Sequence, residues 1–275
     1  MRLSTVVGDL RLGIANAVRA GLHPDQVPDP PRRFVERIGG GDYRGIGDAL
    51  CRNLLEQGGL RPSDRLLDIG CGVGRLAAPL TRYLQGEGRY EGFDIDPELV
   101  EWCRRNITRR HPRFRFRAVD VHSDYYRPAG AVSGSAFTFP YEAGSFDLVA
   151  ATSLFTHLLT GDAENYLRES ARVLAPGGTF CATFFLLDAE SLALQNAKRG
   201  DRVFRTEPVD AANGQVHHIM RADQPEAAVA YAADWLRRAV ERAGFGGRVE
   251  IHPGGWCGRA KFVTYQDLVI AKKTA

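Results

Sequence analysis

A glycine-rich turn between an apolar run and a helical segment is the feature that most restricts how this chain can fold. The run LLDIGCGVGR, residues 66–75, begins with the apolar side chains typical of a buried strand. Gly70, Gly72 and Gly74 alternate in the turn, which lets backbone amides approach a bound molecule more closely than a Cβ would permit. The dinucleotide fingerprint needs its third glycine one residue later, where Arg75 stands. The spacing therefore argues against a nicotinamide cofactor.

A second strand pattern ends in an acidic residue. Residues 90–97 read YEGFDIDP, and Pro97 is typical of the first position of a helix. Asp94 ends the strand, where an acid in such a unit can accept hydrogen bonds from both hydroxyls of a ribose. Asp96 has a different candidate role, as the N-cap of the following helix. The pattern therefore favours Asp94 as the ribose ligand.

Strand and helix patterns alternate through the rest of the chain, as in α/β proteins. Residues 113–120 alternate phenylalanine and arginine, the period of a half-buried strand with its phenylalanines inward. Asp120 falls at the carboxyl end of this strand, where open α/β sheets place ligand contacts, and a turn-forming role is its alternative. Further strands are predicted at 145–153, 180–187, 248–252 and 266–271, and helices at 163–174, ended by 175–178, and at 231–243, ended by Gly244.

Together these segments resemble the class I S-adenosylmethionine-dependent methyltransferases, in the branch that acts on small molecules. The resemblance covers about residues 60–187 and continues weakly to the end. Four matching segments occur in the same order as in the family: 67–74, 92–96, 139–140 with 146–149, and 172–178. The resemblance implies a doubly wound α/β fold with a seven-stranded, mostly parallel, Rossmann-like sheet whose last strand is antiparallel. The residues around this core predict an N-terminal helical lid segment, 1–60, and a catalytic domain, 61–275, whose insertions at about 122–138 and 188–230 are predicted to cap the active site.

The same resemblance implies S-adenosylmethionine as the cofactor and assigns residues to its parts. Asp68 and the amides of Gly70 and Gly72 would serve the methionine end, and Asp94 would bind the ribose hydroxyls. Ile95 would pack against adenine, while Asp120 would accept from the adenine amino group, with the Val121 amide beside it. The backbone near Thr152 and Ser153 would meet the methionine ammonium. Cys71, inside the turn, is a small residue that fits there. No metal is obligatory, because the sulfonium already activates the methyl group.

Another glycine-rich stretch, residues 39–45, reads GGGDYRG and leads into a predicted helix that ends near Gln57. Tyr43 and Arg44 are candidates for a lid over the cofactor, with Arg44 meeting the methionine carboxylate through charge-assisted hydrogen bonds. A flexible loop without a ligand contact is the alternative.

Methyl transfer requires the protein to align the attacking atom with the methyl–sulfur bond and to exclude water. His157, just after the fourth strand, is predicted to be the base or the residue that orients the substrate, and capping the next helix is its alternative. Tyr126, His217 and His218 are further candidates in the two insertions, although a histidine pair is more often structural. Trp256 is either a wall of the substrate pocket or a packing residue.

The predicted reaction is methyl transfer to a hydroxyl of a small metabolite, with carbon methylation as the alternative. Residues 151–155 read ATSLF where methyltransferases for amino groups of nucleic-acid bases carry an Asn/Asp-Pro-Pro-aromatic turn, which disfavours that class. The arginines within 104–117 are compatible with an RNA-binding face, but also with a solvated guard on an edge strand. Arg202 and Arg205 in the second insertion suggest an anionic acceptor. A cofactor-binding scaffold without activity is the alternative from another class.

Composition limits the partners and the compartment. A net charge of +3 is too small to demand a polyanionic partner. The five cysteines are odd in number and lack Cys-x-x-Cys spacing, so we expect reduced thiols rather than disulfides or a zinc site. Charges interrupt the first 22 residues and no apolar run reaches the roughly 20 residues of a membrane span, so a cytoplasmic protein is expected.

The amino-terminal residues show one more pattern. Apolar residues recur there at helical spacing and predict an amphipathic first helix, packed on its own domain or on a second copy in a homodimer: Leu3, Val7, Leu10, Ile14 and Val18. Residues 25–31 are rich in proline and lack an apolar period, which predicts a linker or strap.

Overall fold

The computed structural model of the protein describes Asn16, residues 25–209 and residues 216–274. The chain divides into two compact units, residues 1–119 and 120–275. The predicted amphipathic first helix lies outside the described residues. The strap at 25–31 contains neither helix nor strand, as its prolines predict. Within the described ranges, no helix has the length and apolar character to cross a bilayer.

The first unit contains three parallel strands of the large sheet, which are β1 (Arg65–Ile69), β2 (Arg89–Asp94) and β3 (Phe114–Ala118), in the order β3-β2-β1. Its helices are α1 (Arg32–Arg37), α2 (Tyr43–Glu56), α3 (Ala77–Leu80) and α4 (Pro97–Cys103), the last continued by a π-helical turn, Arg104–Thr108. The alternation in β3 is confirmed, because its phenylalanines are buried and its arginines exposed. The capping role of Asp96 is also confirmed, since its Oδ1 accepts from the amides of Glu98 and Leu99 at the start of α4.

The second unit contains β4 (Phe146–Ala151), β5 (Leu174–Phe184), β6 (Leu186–Leu187), β7 (His217–Ile219), β8 (Val229–Ala232), β9 (Phe245–His252) and β10 (Asp267–Lys273). Its helices are α5 (Thr160–Val173), α6 (Ala189–Asn196) and α7 (Ala233–Arg242), with single 3-10 turns at Gly134–Ala136, Phe155–His157 and Pro225–Ala227. Four strands belong to the large sheet, in the order β4-β5-β10-β9. The last strand, β10, is antiparallel to both neighbours, so the seven-stranded, mostly parallel α/β fold with an antiparallel last strand is confirmed.

A three-stranded sheet in the order β6-β8-β7 was not predicted. The apolar run at 180–187 is continuous in sequence, but the chain leaves the large sheet after Phe184 because Asp267 takes the amide of Leu186 at 2.8 Å. The helix predicted from Tyr231 begins at Ala233, since residues 229–232 pair with β6 and β7. The helix predicted at 163–174 spans Thr160–Val173, so its end before residues 175–178 is confirmed, and these residues form the irregular start of β5.

A charge cluster around the buried Arg259 joins α6 and β10 in the second unit; Asp267 is buried with it, whereas Asp188 and Glu190 are partly exposed. Arg259 exposes only 4% of its side chain and contacts Asp188 and Glu190 at 3.0 and 2.9 Å, and Asp267 at 3.3 Å. Asp267 is itself buried and also accepts from the Trp256 indole at 2.7 Å. A carboxylate in such a place is stable only while its hydrogen bonds and its cationic partner are present.

Arg259→Ala is therefore expected to lower the free energy of unfolding by about 3 to 5 kcal/mol, because it leaves the Asp267 charge buried without its partner. Urea denaturation at pH 7 measures the change. Arg242→Ala is the matched control, since Arg242 pairs with Glu164 at 3.2 Å with both side chains about half exposed, and such pairs contribute only about 0 to 1 kcal/mol. Equal losses in the two variants would show that the charge cluster stabilises the fold no more than a surface pair.

Candidate active site

The glycine turn after β1 has the backbone conformation that its sequence predicts. Gly70, Gly72 and Gly74 have φ angles of +72°, +52° and +71°, in the left-handed region that other residues rarely adopt. A Cβ on Gly74 would also lie 2.5 Å from Cδ1 of Ile107. The turn therefore follows a tight path that only glycine allows.

The amides of this turn are used differently from the prediction. Gly70 and Cys71 donate to the carbonyl oxygen of Phe93 at 2.9 and 3.0 Å, and Gly72 donates to Oδ2 of Asp94 at 2.7 Å. The expected contact of the Gly70 and Gly72 amides with a ligand is thus corrected, because the end of β2 takes these donors. Their effect is to fix the turn against β2 and to aim the Asp94 side chain.

Asp94 is held from two sides at the end of β2. Its Oδ1 accepts from the Asp96 amide at 2.9 Å, while Oδ2 accepts from Gly72. A carboxylate has about four acceptor positions, so positions remain for further donors. Burial raises the pKa of Asp94 to about 6, against the lowering effect of the two backbone donors. Ile95, the next residue, is half-buried.

Asp68, in β1, carries an unsatisfied buried oxygen. Its Oδ2 accepts from the Tyr90 hydroxyl at 2.5 Å, whereas Oδ1 has no hydrogen-bond partner among the described residues. Burial raises the pKa of Asp68 to about 7, although the Tyr90 hydrogen bond lowers it. Buried polar atoms are nearly always satisfied, so an unsatisfied one is typical of a position completed by a ligand or water. The open acceptor fits a cationic or hydroxyl group, as the predicted cofactor would supply.

Tyr43 and Arg44 occupy the start of α2 but face protein groups. The buried Tyr43 hydroxyl lies 3.1 and 3.0 Å from the carbonyl oxygens of Val73 and Gly74 and donates to this pair, so it supports the glycine turn. Arg44 donates to the carbonyl of Val27 at 2.9 Å and pairs with Asp29 at 2.5 Å. The lid prediction is corrected to this extent: Arg44 ties the 25–31 strap to α2, and its charge is neutralised there.

Asp120 and Val121 are the first two residues of the second unit. The Asp120 side chain is exposed, and its Oδ1 accepts from the Arg127 guanidinium at 2.8 Å. Val121 is buried and pairs with Val132 in an isolated bridge. Arg127 therefore orients the carboxylate that the family resemblance assigns to adenine.

A series of hydrogen bonds between polar side chains orders the backbone after β4. Ser153 has a φ of +58°, unusual for a residue with a Cβ, and its amide donates to Oγ1 of Thr183 at 2.7 Å. Gln266, just before β10, accepts from the hydroxyls of Ser153 and Thr183 at 3.1 and 2.5 Å. Thr152 lies half-buried beside them. The residues predicted to meet the methionine ammonium thus lie on a backbone segment held in a strained conformation.

His157 has a defined hydrogen-bonding state in the 3-10 turn after β4. Its Nδ1 lies 2.8 Å from the backbone carbonyl oxygen of Glu226, which can only accept. Nδ1 therefore carries the proton, and Nε2 keeps a lone pair 3.3 Å from the Tyr126 hydroxyl. Burial lowers the pKa of His157 below its usual value. The imidazole is thus neutral near pH 7, and Nε2 beside the Tyr126 hydroxyl is its basic nitrogen.

The two other histidine candidates and Trp256 have packing roles. His217 is buried, with Nδ1 2.9 Å from the Thr160 hydroxyl, and burial lowers its pKa. His218 is buried and donates from Nδ1 to the carbonyl of Arg205 at 2.9 Å. These contacts favour the structural alternative for both. Trp256 is fully buried among aromatic side chains, so it packs the core rather than forming a pocket wall.

The sequence did not single out Glu226 and Gln266, whose contacts organise this part of the second unit. Neither residue stands in a recognisable motif, and their partners are far away in the sequence. Polar residues of this kind acquire their role only when distant segments meet.

The fold and the glycine turn define a class of protein. A mostly parallel α/β sheet with an antiparallel last strand, a glycine turn after β1 and an acid at the end of β2 are together typical of the class I S-adenosylmethionine-dependent methyltransferases.

Comparison with known proteins agrees with this class. Residues 67–182 match the family model described as a methyltransferase domain. Norajmaline N-methyltransferase of Rauvolfia serpentina is 31% identical over 135 residues, 49% of this chain and 40% of the relative. The ubiquinone biosynthesis O-methyltransferase of Caulobacter sp. (strain K31) is 31% identical over 148 residues, 53% of this chain and 51% of the relative. The crystal structure of the PH0226 protein from Pyrococcus horikoshii OT3 shares the fold, with a TM-score of 0.55 at 17% identity, over 86% of this chain and 93% of that one.

Residues 67–182 thus form a methyltransferase domain, and S-adenosylmethionine is the cofactor of the class of which the fold and the glycine turn are typical. The chain spans about half or less of the length of these two curated relatives. The names of the relatives disagree about the methylated atom, one being nitrogen and the other oxygen.

Proposed function

We propose that this protein transfers the methyl group of S-adenosylmethionine to a hydroxyl of a small-molecule acceptor, with residues 61–275 as its catalytic domain. The observation that carries the proposal is the state of His157: a neutral imidazole whose Nδ1 proton is committed to a carbonyl and whose unprotonated Nε2 lies beside the Tyr126 hydroxyl. An alcohol or phenol must lose its proton on methylation, so it needs such a base, whereas a neutral amine does not need one to attack.

The cofactor supplies a methyl group that is already activated by the sulfonium. In the first unit, Asp94 would accept from the ribose hydroxyls, and Oδ1 of Asp68 would accept from the methionine ammonium. In the second unit, Asp120 and Val121 would meet the adenine edge, and the backbone near Ser153 the methionine end. The unsatisfied oxygen of Asp68 and the open acceptor positions of Asp94 support these roles.

The protein's own contribution to the chemistry is to position the acceptor and to take its proton. S-adenosylmethionine would supply the methyl group by cleavage of its methyl–sulfur bond, whose electron pair stays on sulfur, and Nε2 of His157 would take the hydrogen of the acceptor hydroxyl. The products are the methyl ether, S-adenosylhomocysteine and a protonated imidazole, which then returns its proton to water. A positioned base of this kind contributes about 10² to 10⁴ in rate.

Arg202 supports an acceptor with an acidic group. Its guanidinium lies 3.2 Å from the Tyr265 hydroxyl, and its charge contributes to lowering the pKa of His157, after burial as the main cause. Carbon methylation remains the alternative reaction, and it would use the same base on an acidic carbon.

Incubation with S-adenosylmethionine carrying a ¹³C-methyl group and a metabolite extract tests the proposal. Formation of S-adenosylhomocysteine and a ¹³C signal typical of a methoxy carbon are expected in the product. A methyl signal on nitrogen or carbon would redirect the proposal to the other reactions. Absence of S-adenosylhomocysteine with any extract would favour a scaffold that binds the cofactor without activity.

Cofactor affinity is expected to rise between pH 5 and pH 7.5. Burial raises the pKa of Asp94 to about 6 and that of Asp68 to about 7, and only the ionised forms accept all the hydrogen bonds of the ligand. In the ligand-free protein, both groups hold protons that the unfolded chain has lost, so the free energy of unfolding falls as the pH rises from about 4 to about 7. Ligand binding releases these protons and gains up to about tenfold in affinity per pH unit and group.

Titration calorimetry with S-adenosylhomocysteine in buffers of different ionisation enthalpy measures both the affinity and the number of protons released. Asp68→Asn is expected to remove the part of the pH dependence that lies between pH 6 and 7. An affinity that does not change with pH would contradict the ionic role of both carboxylates.

A further inference from the structure

We propose that Glu226 is a positioning residue that assembles the acceptor side of the second unit. Its carboxylate organises the turn at 123–126, and its backbone carbonyl selects the ring nitrogen of His157 that carries the proton. The inference rests on the proposed function, because it concerns the residue that places the base.

The carboxylate of Glu226 gathers three donors from one turn. The Ser123 hydroxyl donates to Oε2, and the amides of Asp124 and Tyr125 lie 3.3 and 3.2 Å from its oxygens. The residue is buried, with an exposed fraction of 8%. Hydrogen bonds to an ionised acceptor are roughly twice as strong as neutral ones, and two backbone amides of the turn depend on this group. The carboxylate therefore fixes the backbone conformation from which Tyr126 projects.

The same residue acts on His157 through its main chain. The 2.8 Å contact of Nδ1 with the Glu226 carbonyl leaves Nε2 as the basic nitrogen. Ser123 connects Glu226 to Tyr126, since its hydroxyl donates to the carboxylate while its oxygen accepts from the Tyr126 amide at 3.1 Å. The Tyr126 and His157 rings then meet edge to face, with centroids 5.2 Å apart. One residue thus places both the base and the hydroxyl beside it.

Glu226 connects two segments that are far apart in the sequence. Glu226 lies in the 3-10 turn just before β8, whereas Ser123 is 103 positions earlier in the chain. Movement of residues 225–227 would change the turn and the imidazole together. Glu226 therefore couples the second insertion to the geometry of the proposed base.

Nuclear magnetic resonance on the ligand-free protein tests the inference without knowledge of the acceptor. In the wild type, a long-range ¹H–¹⁵N spectrum is expected to show neutral His157 with its proton on Nδ1, and the amides of Asp124 and Tyr125 to exchange slowly. In Glu226→Ala, these two amides are expected to exchange at least about tenfold faster, the equivalent of one charge-assisted hydrogen bond. The Glu226 carbonyl is still present in this variant, so the tautomer can change only through a shift of residues 225–227, which the lost carboxylate contacts would allow; a mixture of His157 tautomers is then expected.

Glu226→Gln is the conservative variant that keeps the test decisive if Glu226→Ala does not fold. Asp124 and Tyr125 donate to different oxygens of Glu226, so the single amide oxygen of glutamine can keep only one of these contacts and the NH₂ group faces the other donor. One of the two amides is therefore expected to keep its slow exchange, and the other to exchange faster. Asp223→Ala is the matched control, because Asp223 lies three positions away and pairs only with Arg221 among the described residues. It should leave both readouts unchanged.

Slow exchange at Asp124 and Tyr125 together with an unchanged tautomer in Glu226→Ala would overturn the inference, as would a proton on Nε2 in the wild type. These results are independent of turnover. If no acceptor yields S-adenosylhomocysteine but the amides and the tautomer respond as expected, the proposed function fails while the positioning role of Glu226 stands.

Discussion

Asp94→Asn lowers the affinity for S-adenosylhomocysteine by about 10² to 10⁴, the equivalent of losing two hydrogen bonds to a charged acceptor. Both carboxylate oxygens already accept from backbone amides, at Gly72 and at Asp96. An asparagine has one acceptor oxygen, so its NH₂ group would face one of these donors. The variant therefore loses the ribose acceptor and also disturbs the glycine turn.

Asp96→Asn is the matched control for this prediction, because it makes the same change two positions away. Asp96 caps α4 through Oδ1, a role that an asparagine oxygen also fills, and the substitution loses only the ion pair of Oδ2 with the partly exposed Arg37. Calorimetry should give an affinity within about threefold of the wild type, as expected for a neutral exchange of cap residues. Equal effects of the two substitutions, or wild-type affinity in Asp94→Asn with unchanged circular dichroism, would remove the ribose role of Asp94.

His157→Gln lowers kcat by about 10² to 10⁴, the contribution of a positioned base. The glutamine NH₂ group can still donate to the Glu226 carbonyl, which keeps the local structure, but its amide oxygen is far too weakly basic to accept the acceptor's proton. The affinity for S-adenosylhomocysteine should stay within about twofold, because the substitution removes an interaction made only in the transition state.

The pH profile separates a base from a purely structural histidine. Because burial lowers the pKa of His157, wild-type activity should rise with pH through a value below the usual histidine range and be level near pH 7. This rising limb should be absent in His157→Gln. His111→Gln, at a half-buried position in the first unit whose Nε2 lies 2.7 Å from the Asp25 carbonyl, is the control and should keep both rate and profile, because the glutamine NH₂ group can donate to the same carbonyl. A His157→Gln enzyme with more than a third of the wild-type kcat would show that no base is needed.

Most of the fold could be predicted because its signals are local. The Phe and Arg alternation of β3 and the acid-Pro start of α4 follow from side-chain period and capping, and the structure has both. The small sheet of β6, β8 and β7 could not be predicted in the same way. Leu186 continues an apolar run in sequence, and only the hydrogen bond from its amide to Asp267 shows where the chain leaves the large sheet.

The residues of the candidate site could be predicted where they stand in a local motif, but not where their partners are distant in the sequence. Asp68 and Asp94 follow from their places in the strand–turn motif, and both carry pKa values raised by burial. Arg44 was predicted as a cofactor ligand because a cation in a glycine-rich stretch suits a carboxylate. It pairs instead with Asp29, a partner that no periodicity indicates.

The amino-acid sequence by itself determined the backbone around the cofactor turn, since three glycines at alternate positions permit left-handed conformations that other residues resist. It also determined which faces of the strands are apolar. Only the tertiary structure decided which donor meets which acceptor: the Gly72 amide and Asp94, the Ser123 hydroxyl and Glu226, the His157 ring and a carbonyl. Periodicity acts within a few residues, whereas a buried polar atom must find a partner wherever the folded chain brings one near.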